Sequence, residues 1–297
     1  MKSFLIIIIL IISSYAREYK VGFAQDTFAN DWRMAQVNEV KKEVSKYPFL
    51  SLTVRDAQAS VATQISDIEY FIQNNYDFII TSPINPSLTS LVLKKAIDKN
   101  IKVILIDRGI KSNNYTTFIR PDNIQIAQKA AKFMMEKMDG KGTILMLEGI
   151  KGATPTIKRA EGFENITNKY PDIKIIKKRA NFLRADAIEV MESIYSKNIK
   201  FDAIYSHSDS MLSGVRSVMN SMKKDKSILM VGIDYIKETQ DAIKNNEQTA
   251  SFTYPTCGKE GVIAIVDLIN KKDIPKDIII QSKYINNDNV LSEEPIF

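Results

Sequence analysis

The chain has 297 residues, of which 44% are hydrophobic and 26% charged, so it can fold into one or two globular domains and is not intrinsically disordered. Its formal net charge of +6 comes largely from lysines spread along predicted helices, without the arginine clusters and interleaved aromatic residues of nucleic-acid-binding proteins. One cysteine, Cys257, excludes an internal disulfide bond, and with one histidine it forms no recognisable metal or haem ligand set. We therefore expect no metal and no cofactor.

The first sixteen residues have the layout of a secretory signal peptide. Lys2 precedes an apolar run at residues 4–12, and the small residues Ser14 and Ala16 lie three and one positions before the expected cleavage site. A membrane anchor is the alternative, but the run is shorter than the ~18 residues that a spanning helix needs. We expect cleavage after Ala16 and export. The segment alone leaves open the periplasm, secretion and a tethered surface form.

Short apolar runs alternate with amphipathic stretches along the rest of the chain. The first series predicts strands at 20–25, 50–55, 77–82 and 102–107, with helices near 31–47, 60–75 and 87–99. The second series predicts strands at 142–149, 173–180, 201–207, 227–234 and 249–255, with helices near 122–138, 154–169, 184–197, 208–222, 236–245 and 257–271. Such alternation is typical of parallel sheets covered by helices on both faces, and there are too many strands for one open sheet. The predicted fold class is therefore α/β, with two lobes.

Charged side chains follow the predicted strands, where open parallel sheets bind their ligands. Asp107 and Arg108 come directly after the fourth strand, while Asp234 ends a strand of the second half and Arg159 lies just inside a helix. Carboxylates accept hydrogen bonds from hydroxyl groups, and a guanidinium group donates them in a planar fork. Two such sets facing each other across a cleft suit a small polyhydroxylated molecule.

Aromatic residues accompany these charges. Trp32 and Phe182 offer flat apolar surfaces for the C–H face of a sugar ring, with Phe28 or Tyr254 as further walls. A simpler interpretation makes Trp32 and Phe182 ordinary core residues.

The charged residues also have a simpler interpretation. Asp107 and Arg108 could form a structural ion pair, and Arg159 could be a solvated helix charge. We favour a ligand site because four charged residues occupy the same kind of position, at strand ends or in the helix just beyond.

The sequence gives little support to catalysis. His207 lies in the run SHSDS, but neighbouring residues at a strand end point to different faces, so this run is not a catalytic triad, and no GxSxG motif occurs. A pair of carboxylates at glycosidase spacing stays open, because spatial separation defines such a pair.

A series of motifs resembles a known family. Taken in order, VGFAQ followed by WR, LIDR, LEGIKGAT, Arg159 with GF, VMES, YSHSDSM and VGID resemble the type I periplasmic sugar-binding proteins of ABC transporters, of the ribose- and galactose-binding type. The resemblance covers essentially the whole mature chain. It implies two Rossmann-like lobes joined by a three-stranded hinge, with crossings near residues 121, 255 and 283. The implied lobes are 17–121 plus 256–283 and 122–255 plus 284–297, after the signal peptide at 1–16.

The resemblance also implies the ligand-binding residues. The full predicted set is Gln25, Trp32, Arg33, Asp107, Arg108, Arg159, Phe182, Asp209, Asp234 and Tyr254. Ser208 stands where ribose-binding members have Asn, and Tyr254 stands roughly where they have Gln, so ribose itself is in doubt. The expected ligand is a galactofuranose-like monosaccharide or a related aldose. Related DNA-binding regulators carry an N-terminal helix-turn-helix, which this chain replaces with a signal peptide, so no nucleic-acid partner is expected.

These observations lead to one functional hypothesis and two alternatives. The chain is expected to be a monomeric, non-catalytic periplasmic receptor that closes on a monosaccharide and delivers it to the membrane permease of an ABC importer. In the first alternative, the loaded receptor docks on a chemoreceptor or a sensor histidine kinase. The second, less favoured alternative is a secreted glycoside hydrolase.

Overall fold

A computed structural model describes residues 17–223 and 228–297 of the chain. The predicted signal peptide lies outside the described residues. The strands, in chain order, are β1 Tyr19–Gln25, β2 Leu50–Asp56, β3 Phe78–Thr81, β4 Lys102–Ile106, β5 Thr117–Pro121, β6 Gly142–Glu148, β7 Ile173–Arg179, β8 Ala203–Ser206, β9 Leu229–Val231, β10 Ser251–Phe252, β11 Asp277–Ile280 and β12 Tyr284–Ile285. The helices are α1 Asp31–Val44, α2 Val61–Gln73, α3 Pro86–Asp98, α4 Asn123–Lys137, α5 Thr154–Thr167, α6 Arg184–Ser196, α7 Asp209–Ser221, α8 Lys237–Lys244 and α9 Gly258–Ile269.

The first sheet is parallel and has the strand order β11-β5-β4-β3-β1-β2. Helices α1 and α9 cover one face, where Val37 and Ile265 pack against Phe23 and Ile104. Helices α2 and α3 cover the other face. Because both faces are buried, the central strands β1, β3 and β4 contain continuous apolar runs, as the sequence indicated. We call this sheet and its four helices the N-terminal lobe.

The second sheet is also parallel and has the order β7-β6-β8-β9. Helices α4 and α5 cover one face, where Ala130 and Phe163 pack against Met146 and Tyr205. Helices α6 and α7 cover the other face. We call this sheet, its four helices and α8 the C-terminal lobe.

Over residues 17–223 and 228–297, the chain passes between the two sheets three times. It crosses from β5 to α4, from β10 to α9 and from β11 to β12. The short strands β10 and β12 pair antiparallel, and bridges from Val231 to Ala250 and from Asp234 to Thr253 attach this segment to the second sheet. The predicted two-lobed α/β fold is confirmed, whereas the domain limits stay a prediction. Strands β5, β11 and β12 were not predicted as strands.

The described part of the chain, residues 17–223 and 228–297, contains no helix that is both long and apolar enough to cross a membrane.

Helices α4 and α5 approach each other closely at Gly162, which provides a test of this packing. A Cβ atom at Gly162 would lie 2.5 Å from the backbone oxygen of Ile124, whereas one at Gly261 in α9 would lie 3.3 Å from a methyl group of Ile106. Alanine gains about 1 kcal/mol of helix propensity over glycine at either position. We expect Gly162→Ala to lower the free energy of unfolding by about 1–3 kcal/mol through overpacking, and the control Gly261→Ala to leave it near the wild-type value. Urea unfolding of both variants measures this, and equal effects would contradict the close approach.

Candidate ligand-binding site

A cavity of about 440 Å³ lies between the lobes, at the carboxyl ends of both parallel sheets. This volume counts all the space between the surrounding atoms, including the part that is open to solvent. Eight of the ten predicted residues line it: Trp32, Arg33, Asp107, Arg108, Arg159, Phe182, Asp234 and Tyr254. The lining also includes Asn30, Pro155, Ser208 and Ser210, which were not in the predicted set.

The N-terminal lobe contributes a buried network of two arginines and two aspartates. Nη1 of Arg33 lies 2.8 Å from Oδ2 of Asp107, and Nε of Arg33 lies 3.0 Å from Oδ1 of Asp26. Nη1 of Arg108 donates to Oδ2 of Asp26 at 2.8 Å. Asp107 and Arg108 are neighbours in the sequence, but Nε of Arg108 lies 3.9 Å from Oδ2 of Asp107. Each has a shorter contact with another residue, Asp107 with Arg33 and Arg108 with Asp26. The adjacent Asp and Arg are therefore part of a larger network and not simply an ion pair with each other.

Local backbone conformation positions these groups. Asp107 follows β4 with φ of 63°, in the left-handed region that non-glycine residues rarely adopt. Asn30 caps α1 by accepting a 2.8 Å hydrogen bond from the backbone N–H of Arg33, which fixes that residue in the first turn. Asp107 and Arg33 are thereby held near the edge of the sheet that faces the cavity.

Asp107 and Arg33 keep their charges despite burial. Burial alone would raise the pKa of Asp107, but Arg33, Arg108 and a hydrogen bond from Tyr254 lower it below its ordinary value. Burial likewise acts to lower the pKa of Arg33, but Asp26 and Asp107 more than offset this and raise it. The carboxylate of Asp107 and the guanidinium of Arg33 thus stabilise each other's charged form.

In the C-terminal lobe, Arg159 projects from α5 into the cavity. Its Nε donates to Oδ1 of Asn123 at 2.8 Å, its Nη1 donates to the carbonyl oxygen of His207, and Nη1 lies 4.0 Å from Oδ1 of Asp234. Burial raises the pKa of Asp234 well above its ordinary value, and Arg159 offsets only part of this rise. The two cavity carboxyls, Asp107 and Asp234, thus differ in how readily they ionise.

Tyr254 joins the polar groups of the two lobes. Its hydroxyl donates to Oδ1 of Asp107 at 2.8 Å and accepts from Nδ2 of Asn123 at 3.0 Å. The guanidinium of Arg159 lies 4.2 Å from the centre of the Tyr254 ring. A continuous chain of contacts therefore runs from the N-terminal carboxylate of Asp107 to Arg159 in the C-terminal lobe.

Each lobe also contributes an aromatic ring. Trp32 of α1 lines the cavity and donates from Nε1 to the carbonyl oxygen of Tyr254 at 3.3 Å. Phe182 follows β7 with φ of 63°, and its ring lies over Gly149, where a Cβ atom would come within 1.9 Å of Cζ. Gly149 is thus needed for the position of Phe182. Both rings are partly exposed, as an aromatic surface for a ligand must be.

The structure places Gln25 behind the cavity and not in its lining. Its side-chain amide donates to Oε1 of Gln36 at 2.9 Å, and its Oε1 accepts from the backbone N–H of Asp26 at 3.0 Å. The side chain is fully buried. Gln25 therefore supports the loop that carries Asp26, and its role in ligand binding stays a prediction.

Asp209 also lies outside the cavity lining, and its role in ligand binding stays a prediction. It begins α7 and accepts from the backbone N–H of Tyr235 at 2.8 Å, from Nε2 of Gln248 at 2.7 Å and from the hydroxyl of Ser251. Its carboxylate packs where a Cβ atom of Gly232 would stand. Asp209 therefore ties α7 to the segments around β9 and β10.

His207 is buried beside the cavity without lining it. Its Nδ1 accepts from the backbone N–H of Gly149 at 3.4 Å. Burial, Arg159 and Lys177 lower its pKa well below the ordinary value, so the imidazole is neutral. Within the described ranges, no group of three or more His, Cys, Asp or Glu residues could hold a metal ion.

The carboxyl of Asp209 gives a pH-dependent prediction. Burial raises its pKa in the folded state to about 6, although Ser251, Gln248 and Tyr235 hydrogen-bond to it. An unfolded aspartate has a pKa of about 3.9. The proton therefore binds more tightly to the folded state, and the resulting stabilisation is present below pH ~4 and lost as the pH rises to about 6.

Replacing Asp209 by Asn removes this titration. From pH 7 to pH 4, the free energy of unfolding of the wild type should rise relative to that of Asp209→Asn by on the order of 2–3 kcal/mol. Urea unfolding of both proteins at several pH values measures the difference. Parallel pH profiles would show that the carboxyl titrates alike in the folded and unfolded states.

Comparisons with known proteins agree with this architecture. The family model described as the periplasmic binding protein domain matches residues 21–273. The chain is 28% identical over 268 residues to the ribose import binding protein of Bacillus subtilis, covering 90% of this chain and 87% of that protein. It is 31% identical over 243 residues to the galactofuranose-binding protein of Escherichia coli, covering 78% and 76% of the two chains.

Solved structures give the same result. A galactofuranose-binding protein superposes with a TM-score of 0.87 at 28% identity, covering 92% of this chain and 96% of that chain. The fructose-binding periplasmic domain of a hybrid two-component system superposes with a TM-score of 0.85 at 30% identity, covering 92% of each chain. From its sequence, its fold and these matches, the chain belongs to the family of periplasmic binding proteins.

Proposed function

We propose that this protein is an exported, monomeric receptor that encloses one monosaccharide, galactofuranose-like or a related aldose, between its lobes. The observation that carries the proposal is the composition of the cavity, in which each lobe supplies buried arginine and aspartate side chains and one aromatic ring. Sugars combine hydroxyl groups with flat C–H faces and match both kinds of surface. Relatives named for ribose and galactofuranose support the same ligand class.

Arg108 is a suitable donor to a ligand hydroxyl. It lines the cavity, is 4% exposed, and its Nε has no hydrogen-bond acceptor among the residues that the structure describes. A buried donor without an acceptor is unfavourable by about 1–3 kcal/mol, and a ligand oxygen would remove that penalty. Asp107 accepts from Tyr254 and contacts Arg33, and its carboxylate has lone pairs left for ligand hydroxyls.

Ligand binding would favour the closed arrangement of the lobes. A sugar in the cavity contacts residues of both lobes at once, so it binds the closed form more tightly than the open form. Hinge closure of this kind concentrates large backbone dihedral changes in a few residues, which here would lie in the three connecting segments.

The same geometry argues against glycoside hydrolysis. Two carboxyls with opposite pKa shifts, as in Asp107 and Asp234, are a feature of acid–base catalysis. However, contacts with Arg33 and Arg108 lower the pKa of Asp107, which makes its carboxylate a weaker nucleophile and base. The receptor should therefore return the sugar unchanged.

The membrane permease of an ABC importer is the partner that we favour, and the periplasm is the proposed location. The ribose import binding protein supports transport. A sensing role is the second candidate, and the fructose-binding domain of a hybrid two-component system favours it. Neighbouring genes for a permease and an ATPase would support transport, whereas a neighbouring kinase gene would support sensing.

Calorimetry against a saccharide panel tests the receptor directly. The panel contains pentoses, hexoses and galactofuranose. We expect at least one of them to bind and to be recovered chemically unchanged after incubation, since the cavity holds the groups for recognition but not for turnover. If circular dichroism shows folded protein and no saccharide binds, the proposed function is wrong.

The aromatic surface of Phe182 provides a residue-level test. Phe182→Ala removes a ring that lines the cavity, so affinity for the best saccharide should fall on the order of 10–100-fold, with little change in unfolding. Tyr170→Ala removes a surface ring from the same lobe outside the cavity and should leave affinity unchanged. Calorimetry and thermal melting of both variants measure the effects. Equal affinities of Phe182→Ala and wild type would show that Phe182 is only a packing residue.

A further inference from the structure

Asp26 is a buried carboxylate without a role in the proposed recognition so far. It follows β1, is 2% exposed and does not line the cavity. Its Oδ2 accepts from Nη1 of Arg108 at 2.8 Å, and its Oδ1 lies 3.0 Å from Nε of Arg33. One carboxylate thus contacts both cavity arginines of the N-terminal lobe from behind.

The charge of Asp26 balances the site. The cavity lining contains three arginines, Arg33, Arg108 and Arg159, but only two aspartates, Asp107 and Asp234. With Asp26 behind the lining, the site has three arginines and three aspartates. Burial raises the pKa of Asp234, which weakens the negative charge of the lining and makes the contribution of Asp26 more important.

We propose that Asp26 is a positioning residue that makes the cavity select uncharged sugars over acidic ones, an inference that rests on the proposed sugar-binding function. A guanidinium group without a carboxylate partner binds an anionic ligand strongly, often through two parallel hydrogen bonds. Asp26 engages Nη1 of Arg108 and faces Nε of Arg33, so donors that would hold a ligand carboxylate already have a partner. A sugar hydroxyl carries no charge and needs only the remaining donors.

Electrostatic repulsion adds to this selection. A ligand carboxylate near Arg108 would also approach Asp26 and Asp107 in a site from which water is largely excluded, where like charges repel more strongly than in water. A purely structural role for Asp26, holding the loop after β1, would give no preference between neutral and acidic sugars.

The test compares Asp26→Asn with wild type. Asparagine keeps the shape of the side chain and removes its charge. Calorimetry measures the dissociation constants for two pairs of probes, D-galactose with D-galacturonate and D-glucose with D-glucuronate, and for the best aldose of the panel with its uronic acid. We expect the ratio of acid affinity to neutral affinity to rise at least tenfold in the variant.

Matched variants separate charge from structure. Asp26→Glu keeps the charge and should keep the wild-type preference even where both affinities fall. Asp67→Asn removes a buried carboxylate from the same lobe, where it pairs with Arg55 outside the cavity, and should leave the ratio unchanged. If Asp26→Asn does not fold, Asp26→Ser provides the same loss of charge with a smaller side chain.

The outcomes distinguish this inference from the proposed function. The role of Asp26 is overturned if the affinity ratio of the uncharged variants stays within twofold of wild type. It is also overturned if the wild type binds the acids more tightly than the neutral sugars. In both cases the proposed sugar-binding function still holds. A wild type that binds neither class of saccharide overturns the proposed function instead.

Discussion

The hydrogen bond from the Tyr254 hydroxyl to the Asp107 carboxylate links the two lobes, and the arrangement of the cavity depends on it. Tyr254 lies where the chain passes from β10 to α9, and Asp107 directly follows strand β4 in the N-terminal lobe. The same hydroxyl accepts from Asn123, whose side-chain oxygen accepts from Arg159. Burial raises the pKa of Tyr254 well above its ordinary value, so the phenol stays protonated and can donate. One neutral hydroxyl therefore connects Asp107 in the N-terminal lobe, through Asn123, with Arg159 in the C-terminal lobe.

Stability alone does not explain so many charges in a dry site. Taking an ion out of water is unfavourable by several kcal/mol, and apolar residues of similar volume often serve stability as well or better. In addition, Asp107, Phe182 and Asp234 all have positive φ, which is unfavourable by roughly 1–3 kcal/mol for each residue. The buried charges and these three residues lie together around one cavity, whereas the other non-glycine residues with positive φ are spread through the turns and loops. Such a concentration of unfavourable terms is typical of a binding site.

Much of this site could be predicted from the sequence because strand ends are visible in it. Asp107, Arg108 and Asp234 directly follow apolar runs, and the carboxyl ends of parallel strands meet at one edge. Asp209 follows the same rule but packs against Gly232 and accepts from Gln248 and Ser251, contacts that only the tertiary structure brings about.

Asp26 was missed for a related reason. It directly follows β1, but its importance comes from Arg108, 82 residues away in the sequence. No spacing rule connects two such positions. Strands β11 and β12 were also missed: each is short and carries little periodic signal, and neither lies in the regular alternation of apolar strands and amphipathic helices.

The distribution of ion pairs between the lobes bears on how the cleft opens. Around the cavity, Arg33 and Arg108 pair with Asp26 and Asp107 inside the N-terminal lobe, and the 4.0 Å contact of Arg159 with Asp234 lies inside the C-terminal lobe. Opening therefore separates two internally paired sets and leaves each carboxylate with its cation.

The direct polar links between the lobes lie instead at the hinge, where Tyr254 contacts Asp107, Asn123 and Trp32. Because no cavity ion pair has to break, the open and closed forms can differ by a small free energy. A ligand that bridges the two sets can then decide between them, since a ligand shifts such an equilibrium only by its difference in affinity for the two states. Internal pairing within each lobe thus keeps the charges of the empty site paired in the open form. The contacts that bridge the lobes are left to the ligand.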